Sequence, residues 1–266
     1  MILEIDAGNS RIKWRVIDAH QQAVIAGNAT NTRVLAEADA GFPMLDKVFS
    51  SLRSQLGNNL TRARVSSVRG AGFQDLLSDW LREKWHLEAE FAVVEDSYGG
   101  VTNSYADITS MGVDRWLAML AAYKRAQEAC CILDCGSAAT FDWLDADGVH
   151  QGGYIVPGLY LMQESLARKT PALKISFEQW TSPVPGNSTQ AAITSGIVAM
   201  LTGFADRCYL ESKTGADEKA GEIPDKENNP QWFLTGGDAE LLSKHLRWPH
   251  VVEKDLVLEG LAIALP

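Results

Sequence analysis

The sequence lacks the features typical of proteins that bind nucleic acids or membranes. Its 266 residues contain 24 Lys and Arg against 34 Asp and Glu, and no dense basic cluster offsets the formal net charge of −10. Nucleic acid and anionic membranes are therefore excluded as expected partners, and small molecules are favoured. No stretch approaches the roughly 20 apolar residues of a membrane span. Because Glu4 and Asp6 interrupt the first apolar run, we expect no signal peptide there.

The residues that build disulfide frameworks and metal centres are also scarce. The four cysteines are Cys130, Cys131, Cys135 and Cys208. They form no CxxC pair, and the five histidines, at positions 20, 86, 150, 245 and 250, have no metal-binding spacing. These absences exclude a disulfide scaffold and the common zinc sites. We expect free thiols in a reducing compartment, and hence a cytoplasmic protein.

Two stretches of the chain resemble each other. In residues 2–17 and 131–144, a β-prone run ends in Asp, a Gly and a small polar residue follow, and a second β-prone run comes next. An offset of 128 residues, close to half the chain, places Asp6 on Asp134 and Gly8 on Gly136. Each copy is predicted to be a hairpin with an acidic tip. The repeat predicts two similar halves.

The residues at the two hairpin tips suit phosphate binding. Glycine lets a ligand approach the backbone, and Ser10 or Ser137 with neighbouring N–H groups can form a small anion-binding nest. The adjacent Asp can hold a cation that accompanies a phosphate. For either hairpin alone, the stronger interpretation is a tight turn in which Asp or Asn binds its own backbone. Two copies half a chain apart favour two phosphate-binding hairpins facing each other across a cleft.

The pattern of the first half is βββαβαβ. After the hairpin it predicts strands at 23–26, 64–68 and 89–94, helices at 44–56 (ended by Gly57) and 73–85, and a loop at 95–110. The loop runs into residues 112–115, where a helix begins that continues to about 128. The second half repeats βββα with the three strands of residues 130–158. It continues with helices at 158–167, 189–210, 239–246 and 256–264, strands at 232–235 and near Val251, an irregular stretch at 170–187 and a charged excursion at 213–230.

This pattern predicts an α/β fold made of two ribonuclease-H-like halves. Each half is expected to be a mixed five-stranded sheet flanked by helices, with a cleft between the halves. We place the boundary between residues 1–128 and 129–266.

Several separated motifs then support a family resemblance. They are DAGNS at 6–10, Tyr105, GVDR at 112–115, DCGSAAT at 134–140, GGYIVPG at 152–158, STQAAITSGI at 188–197 and LTGGD at 234–238. In order and spacing, the chain resembles the type III pantothenate kinases. These belong to the superfamily of acetate and sugar kinases, Hsp70 and actin. Ser10 and Ser137 stand where the family usually has Thr, which keeps the hydroxyl and loses a methyl.

The resemblance implies ATP-dependent phosphorylation of pantothenate to 4′-phosphopantothenate, the first step of coenzyme A biosynthesis. It implies ATP with Mg²⁺, a monovalent cation (K⁺ or NH₄⁺) and a homodimer. The implied ATP-binding residues are Asp6, Ala7, Gly8, Asn9, Ser10, Arg11, Ile12, Lys13 and Ser137. The implied pantothenate-binding residues are Tyr105, Gly112, Val113, Asp114, Arg115 and Thr189. Asp114 is the implied general base, Asp134 the monovalent-cation ligand and Asp6 a candidate Mg²⁺ ligand.

Each of these residues also has an ordinary structural interpretation. Asp114 begins a helix, where an acid interacts favourably with the helix dipole, and an ionised carboxylate there can also accept a hydroxyl proton. Lys13 can be a strand-surface cation, Arg115 a surface ion-pair partner and Thr189 a helix N-cap. Gly236 and Gly237 can let a nucleoside lie against the backbone, or simply form a strand-to-helix turn.

Two other functions remain open on the same fold. One is an accessory transcriptional regulator, against which the acidic charge and the intact set of Asp6, Asp114 and Asp134 both weigh. The other is a kinase of a different small hydroxylated acid or sugar. The kinase interpretation requires the three acids to meet in one crevice where ATP transfers its terminal phosphate to an alcohol.

Overall fold

The computed structural model describes residues 1–20, 23–32, 41–52, 59–170, 175, 182–214 and 229–266. The strands are β1 (Ile2–Ala7), β2 (Arg11–Ile17), β3 (Val24–Asn31), β4 (Arg62–Ser67), β5 (Ala89–Phe91), β6 (Ser97–Tyr98), β7 (Val101–Thr102), β8 (Cys130–Cys135), β9 (Ala138–Leu144), β10 (His150–Pro157), β11 (Gln231–Thr235) and β12 (Val251–Val252). The helices are α1 (Phe42–Val48), α2 (Ala71–Trp85), α3 (Val113–Ala126), α4 (Leu159–Lys169), α5 (Thr189–Thr214), α6 (Ala239–Ser243) and α7 (Leu256–Ala264), with a 3₁₀ turn at Ile108–Ser110.

The first sheet has the strand order β3-β2-β1-β4-β5. β1 pairs antiparallel with β2 and parallel with β4, while β4 pairs parallel with β5. β1 is buried on both faces, since Leu3 and Ile5 on one face and Glu4 on the other are all inaccessible to solvent, as expected of a central strand. The hairpin predicted from residues 2–17 is therefore the centre of this sheet.

The second sheet repeats this arrangement with the order β10-β9-β8-β11-β12. β8 pairs antiparallel with β9 and parallel with β11, and β11 pairs parallel with β12. Equivalent strands thus occupy equivalent positions in the two sheets. The predicted duplication of a ribonuclease-H-like unit is confirmed.

Aromatic residues fill the core beside each sheet. In the first unit, Phe49 stacks on Trp80 with a centroid distance of 4.8 Å and lies 6.1 Å from Trp14. In the second unit, Trp232 and Trp248 lie 4.7 Å apart, and Tyr209 stacks on Trp248. The tryptophans named here are therefore structural, as expected.

The closing helix α7 packs against β1 and β4 of the first sheet. A buried ion cluster supports this packing: Arg15 donates to Glu4 at 2.5 Å and to the carbonyl of Leu258 at 3.0 Å, and Arg64 donates to Glu4 at 3.1 Å. The chain divides into a unit of residues 1–99, 105–121 and 256–266 and a unit of residues 100–104 and 122–255. The proposed boundary at 128/129 remains a prediction, while α7 lies with the first sheet.

Some element boundaries differ from those predicted. β3 extends to Asn31 through Gly27 and Asn28, since pairing with β2 satisfies its backbone despite poor strand propensity. β5 ends at Phe91 and α6 at Ser243, earlier than predicted, whereas α5 continues to Thr214. The predicted end of the 44–56 helix at Gly57 lies outside the described residues. Most residues of the stretches at 170–187 and 213–230 also lie outside the described residues.

Two of the predicted absences can be compared with the structure. The four cysteines are unpaired and buried, and burial raises the pKa of Cys130 and Cys208 to about 12. Their thiols are therefore poorly reactive. In the part of the chain that the structure describes, no helix is both long enough and apolar enough to cross a membrane.

Candidate functional site

The first acidic hairpin places Asp6 between polar residues of both neighbouring strands. Asp6 is directly opposite Lys13 on β2 and beside Ser66 on β4. The Lys13 side chain therefore lies on the same face of the sheet as this carboxylate and interacts with it electrostatically. Asp6 as a whole residue is half-buried, and protein atoms surround its carboxyl group.

The pKa of Asp6 is far from its ordinary value. Burial raises it from 3.8 to about 7, with the negative charge of Asp114 acting in the same direction. The Ser66 hydroxyl and the positive charge of Lys13 lower it. Ser66 Oγ is buried and has no well-aligned hydrogen-bond partner among the described residues. A carboxylate and a hydroxyl so placed can both turn toward a hard cation.

Asp114 lies in the first turn of α3, as the sequence predicts. Its Oδ1 accepts a hydrogen bond from the backbone N–H of Arg115 at 2.8 Å. Gly112 leaves room for this carboxylate, because a Cβ at Gly112 would lie 2.5 Å from the same oxygen. Asp114 and Asp6 therefore interact electrostatically within the first unit, and Asp114 is held where its carboxylate is stabilised by a helix N-terminus.

Arg115 is buried, with 6% of its surface exposed. Its guanidinium donates to the hydroxyl of Tyr105 at 2.7 Å and lies 5.5 Å from the centroid of that ring. A surface ion pair, the ordinary interpretation of Arg115, is therefore wrong. Arg115, which follows Asp114 in the chain, instead forms a hydrogen-bonded pair with Tyr105.

The loop before Tyr105 is anchored by a buried pair that the sequence did not reveal. The hydroxyl of Ser104 forms a hydrogen bond with Nδ1 of His150 at 3.1 Å, and Nε2 of His150 lies 3.0 Å from Asp142 Oδ1. His150 and Asp142 are almost inaccessible to solvent. Because the anchor joins β9, β10 and the loop, sequence spacing alone could not show it.

In the second unit, Asp134 occupies the position equivalent to Asp6. It lies opposite Thr140 on β9 and beside Thr235 on β11. Gly236 has a φ of 89°, and a Cβ there would overlap Asp134 Oδ1 and lie 2.6 Å from the carbonyl of Cys135. Gly236 is thus required by its contact with the Asp134 carboxylate as well as by the strand-to-helix turn.

Ser137 lies in the turn of the second hairpin, and its backbone is held by the last residue of the GGYIVPG motif. The N–H of Gly158 donates to the carbonyl of Ser137 at 3.0 Å. A Cβ at Gly158 would overlap the carbonyl oxygen of Gly136 and lie 2.7 Å from that of Ser137. This close approach explains why the motif ends in glycine.

Thr189 is exposed at the first position of α5. The preceding residue, Ser188, caps this helix: its hydroxyl accepts from the N–H of Ala191 at 3.2 Å. The alternative role of Thr189 as the N-cap is therefore wrong, and its hydroxyl does not serve that purpose.

The remaining predicted residues differ in what they can offer a ligand. Ala7 and Ile12 have fully buried side chains, so only their backbone groups can contact phosphate. Asn9 and Arg11 are exposed at the hairpin tip. Arg69, which was not predicted, holds this tip from the end of β4. Arg69 reaches the tip because β4 pairs parallel with β1, and the local sequence does not show this pairing.

A family model described as type III pantothenate kinase matches residues 2–211. The chain belongs to this family. The type III pantothenate kinase of Pseudomonas aeruginosa (strain LESB58) is 38% identical over 270 residues, covering 100% of this chain and 99% of that protein. That of Ectopseudomonas mendocina (strain ymp) is 37% identical over 271 residues with the same coverage. The resemblance expected from the motifs is confirmed.

Solved structures with low identity share the fold of this chain. The ethanolamine utilization protein EutJ from Carboxydothermus hydrogenoformans is 16% identical with a TM-score of 0.55, covering 99% of this chain and 88% of that one. The activator of 2-hydroxyisocaproyl-CoA dehydratase from Clostridium difficile, solved with bound ADPNP, is 11% identical with a TM-score of 0.51, covering 99% and 92%. At these identities, the likeness concerns the fold alone.

Proposed function

We propose that this protein phosphorylates pantothenate to 4′-phosphopantothenate with ATP, the first step of coenzyme A biosynthesis. Membership of the type III pantothenate kinase family over the full chain is the observation that carries this proposal. Two features supply groups suited to the reaction: the interacting carboxylates of Asp6 and Asp114, and the hydrogen bond from Arg115 to the Tyr105 hydroxyl. The buried free thiols are compatible with a reducing cytoplasm, where we place the protein.

Asp114 is the proposed general base. Phosphoryl transfer from ATP passes through a loose transition state, so the hydroxyl proton of the acceptor moves late and a carboxylate is basic enough to receive it. Asp114 lies in the first turn of α3, and the N–H of Arg115 orients its carboxylate. Its role is therefore to orient the pantothenate hydroxyl and to take its proton.

The first hairpin, residues 6–13, is the proposed site of the ATP phosphates. Its backbone N–H groups and Lys13 offer donors to phosphate oxygens, and Asp6 with Ser66 offers oxygen ligands to Mg²⁺. Magnesium neutralises charge that develops on the transferred phosphate. A bound cation would lower the raised pKa of Asp6, because it would favour the ionised carboxylate.

The second hairpin is proposed to complete the nucleotide site. Ser137 offers a hydroxyl to phosphate, and Asp134 is the proposed ligand of a monovalent cation, K⁺ or NH₄⁺. Gly136 and Gly236 both lie against the Asp134 carboxylate, so backbone carbonyls are close enough to share a weakly held ion.

Pantothenate is proposed to bind through Tyr105, Gly112, Val113, Asp114, Arg115 and Thr189. The ligand has a carboxylate for a cation, together with an amide and two hydroxyls for hydroxyl and backbone groups. Arg115 is buried and oriented by Tyr105, which suits it for a carboxylate or for fixing the tyrosine hydroxyl. Thr189 contributes an exposed hydroxyl that helix capping does not use.

We propose a homodimer, supported by an apolar surface on the second unit. Among the described residues, β10 is an edge strand of the second sheet. Its Tyr154 and Ile155 are 47% and 62% exposed. Met200 and Leu210 of α5 are 66% and 61% exposed. An exposed apolar edge of this kind favours association with a second copy. Light scattering coupled to gel filtration should give twice the mass of the chain.

A coupled assay of ADP release tests the proposed function. The purified protein should release ADP with pantothenate and not with sugars or acetate, and Asp114→Asn should abolish most of this activity. Asp79→Asn, at an exposed position of α2, is the matched control and should keep full activity. A folded protein without pantothenate-dependent ADP release would favour the regulatory alternative. Turnover on another acceptor would favour a kinase of different specificity.

A further inference from the structure

Arg69 lies two residues after the end of β4 and contacts the tip of the first hairpin. Its Nε donates to the carbonyl of Gly8 at 3.0 Å, and a terminal nitrogen donates to the carbonyl of Asn9 at 3.1 Å and to Thr32 Oγ1 at 2.9 Å. The guanidinium also lies 4.5 Å from the centroid of Phe73. A planar, rigid cation with these partners is held in one orientation.

These two hydrogen bonds determine which way the tip peptides face. In a trans peptide unit, the C=O and the N–H point in opposite directions. The Gly8 carbonyl shares its peptide unit with the N–H of Asn9, and the Asn9 carbonyl shares one with the N–H of Ser10. A guanidinium that binds both carbonyls on one side therefore directs two consecutive N–H groups to the opposite side. Consecutive N–H groups with a common direction form an anion-binding nest.

In the second hairpin, a backbone N–H binds the carbonyl equivalent to that of Asn9. Its turn spans residues 136–138 between paired positions, whereas the first spans residues 8–11 and is one residue longer. In the shorter turn, the N–H of Gly158 binds the Ser137 carbonyl. The longer turn has more conformations to lose, so a side chain that bridges two carbonyls has a larger ordering effect there.

We propose that Arg69 is a positioning residue of the first hairpin: its guanidinium fixes the Gly8 and Asn9 carbonyls so that the N–H groups of Asn9 and Ser10 face a phosphate of the bound nucleotide. The proposal rests on the proposed function, since it assigns nucleotide binding to this hairpin. Arg69 acts through the backbone and is not itself a catalytic residue. Burial lowers the pKa of Arg69, yet a guanidinium remains protonated at neutral pH.

The test compares Arg69→Ala and Arg69→Lys with Arg82→Ala. Arg82 is an exposed arginine of α2 that pairs with Asp79 and Glu88, so its loss is a matched control. Calorimetry should show a fall of about tenfold or more in ADP affinity for Arg69→Ala, because two charge-assisted hydrogen bonds are lost. The affinity for adenosine, which has no phosphate, should not change. The KM for ATP should rise while the KM for pantothenate stays the same.

Arg69→Lys separates geometry from charge. A single ammonium cannot reproduce the planar fork that bridges two carbonyls, so this variant should resemble Arg69→Ala. Thr32→Val, which removes one acceptor and leaves the cation, should weaken ADP binding in the same direction by a smaller factor. It keeps the comparison available if Arg69→Ala does not fold.

Several results would overturn the proposal. Full ADP affinity in Arg69→Lys would show that charge alone matters, and an equal loss for ADP and adenosine would show general disruption. Unchanged ADP binding in Arg69→Ala and Thr32→Val would show no role. If the unaltered protein binds ADP but does not phosphorylate pantothenate, the proposed function fails while the Arg69 comparison stands. If the unaltered protein does not bind ADP, both proposals fail.

Discussion

Burial raises the pKa of Asp6 and the negative charge of Asp114 raises it further, so the carboxylate at the end of a central strand and the carboxylate at the start of a helix interact within the first unit. They are 108 positions apart in the sequence. Two carboxylates that interact in this way repel each other unless a proton or a cation lies between them. Together with burial, this repulsion accounts for the high proton affinity of Asp6, and it makes the pair suited to a metal-bound phosphate.

Asp6→Asn should stabilise the protein at high pH and not at low pH. Because the folded pKa of about 7 is above the ordinary 3.8, ionised Asp6 destabilises the fold increasingly as the pH rises between these values, and the effect is absent below them. In urea titrations without nucleotide or magnesium, the free energy of unfolding near pH 8 should increase by up to about 4 kcal/mol, because each unit of the raised pKa corresponds to about 1.4 kcal/mol. Below about pH 4 the difference should vanish.

The control for this experiment is Asp79→Asn, which removes an exposed carboxylate paired with Arg82. It should show little change at either pH. An Asp6→Asn variant with the same stability difference at both pH values would contradict the assigned origin of the shift.

Gly236→Ala should destabilise the second unit. The residue has a positive φ, and its new methyl group would overlap the carboxylate of Asp134. We expect a loss of roughly 2 kcal/mol or more in the free energy of unfolding. Gly203→Ala is the matched control, because Gly203 lies in α5 with open space around it and should gain about 0.5–1 kcal/mol. Equal effects of the two substitutions would argue against the steric role of Gly236.

Tyr105→Phe should weaken acceptor binding and leave ATP binding intact. The substitution removes the hydroxyl that accepts a hydrogen bond from buried Arg115, so the guanidinium loses its orientation. We expect the KM for pantothenate to rise about tenfold, with the KM for ATP unchanged. Tyr123→Phe, which removes a hydroxyl bound to the carbonyl of Ala146, is the control and should leave both constants unchanged. A rise in the KM for ATP alone would contradict the assignment of Tyr105.

Asp134→Asn should remove the response to monovalent cations. If Asp134 holds K⁺ or NH₄⁺, activity of the unaltered protein will rise with either salt at constant ionic strength, and the variant will not respond. The carboxamide keeps the shape of the side chain and loses the charge that attracts the ion. An equal salt response in both proteins would place the cation elsewhere.

The hairpins and their acids could be predicted because their pattern occurs twice. The alternation of apolar residues around Asp6 and Asp134 is local, and the 128-residue offset of the two copies is visible without a structure. A helix beginning near Asp114 could also be predicted, since the apolar residues that follow have helical spacing. For these elements, local propensity and the final fold agree.

Other parts depend on which strands and helices pack together. The apolar face of α7 does not specify a sheet, so its packing on β1 and β4 could not be deduced from periodicity. Ser66 and Arg69 reach the first hairpin only because β4 pairs with β1. The burial of Arg115 likewise follows from packing around α3 rather than from its sequence neighbours.

The formation of 4′-phosphopantothenate from ATP and pantothenate tests the central claim most directly, because product detection by mass spectrometry distinguishes phosphoryl transfer from simple ATP hydrolysis. The unaltered protein should form this product, and Asp114→Asn should form it at a rate lower by about 10²–10⁴ while remaining folded. A folded protein that forms no phosphopantothenate, or an Asp114→Asn variant that forms it at the full rate, would contradict the account.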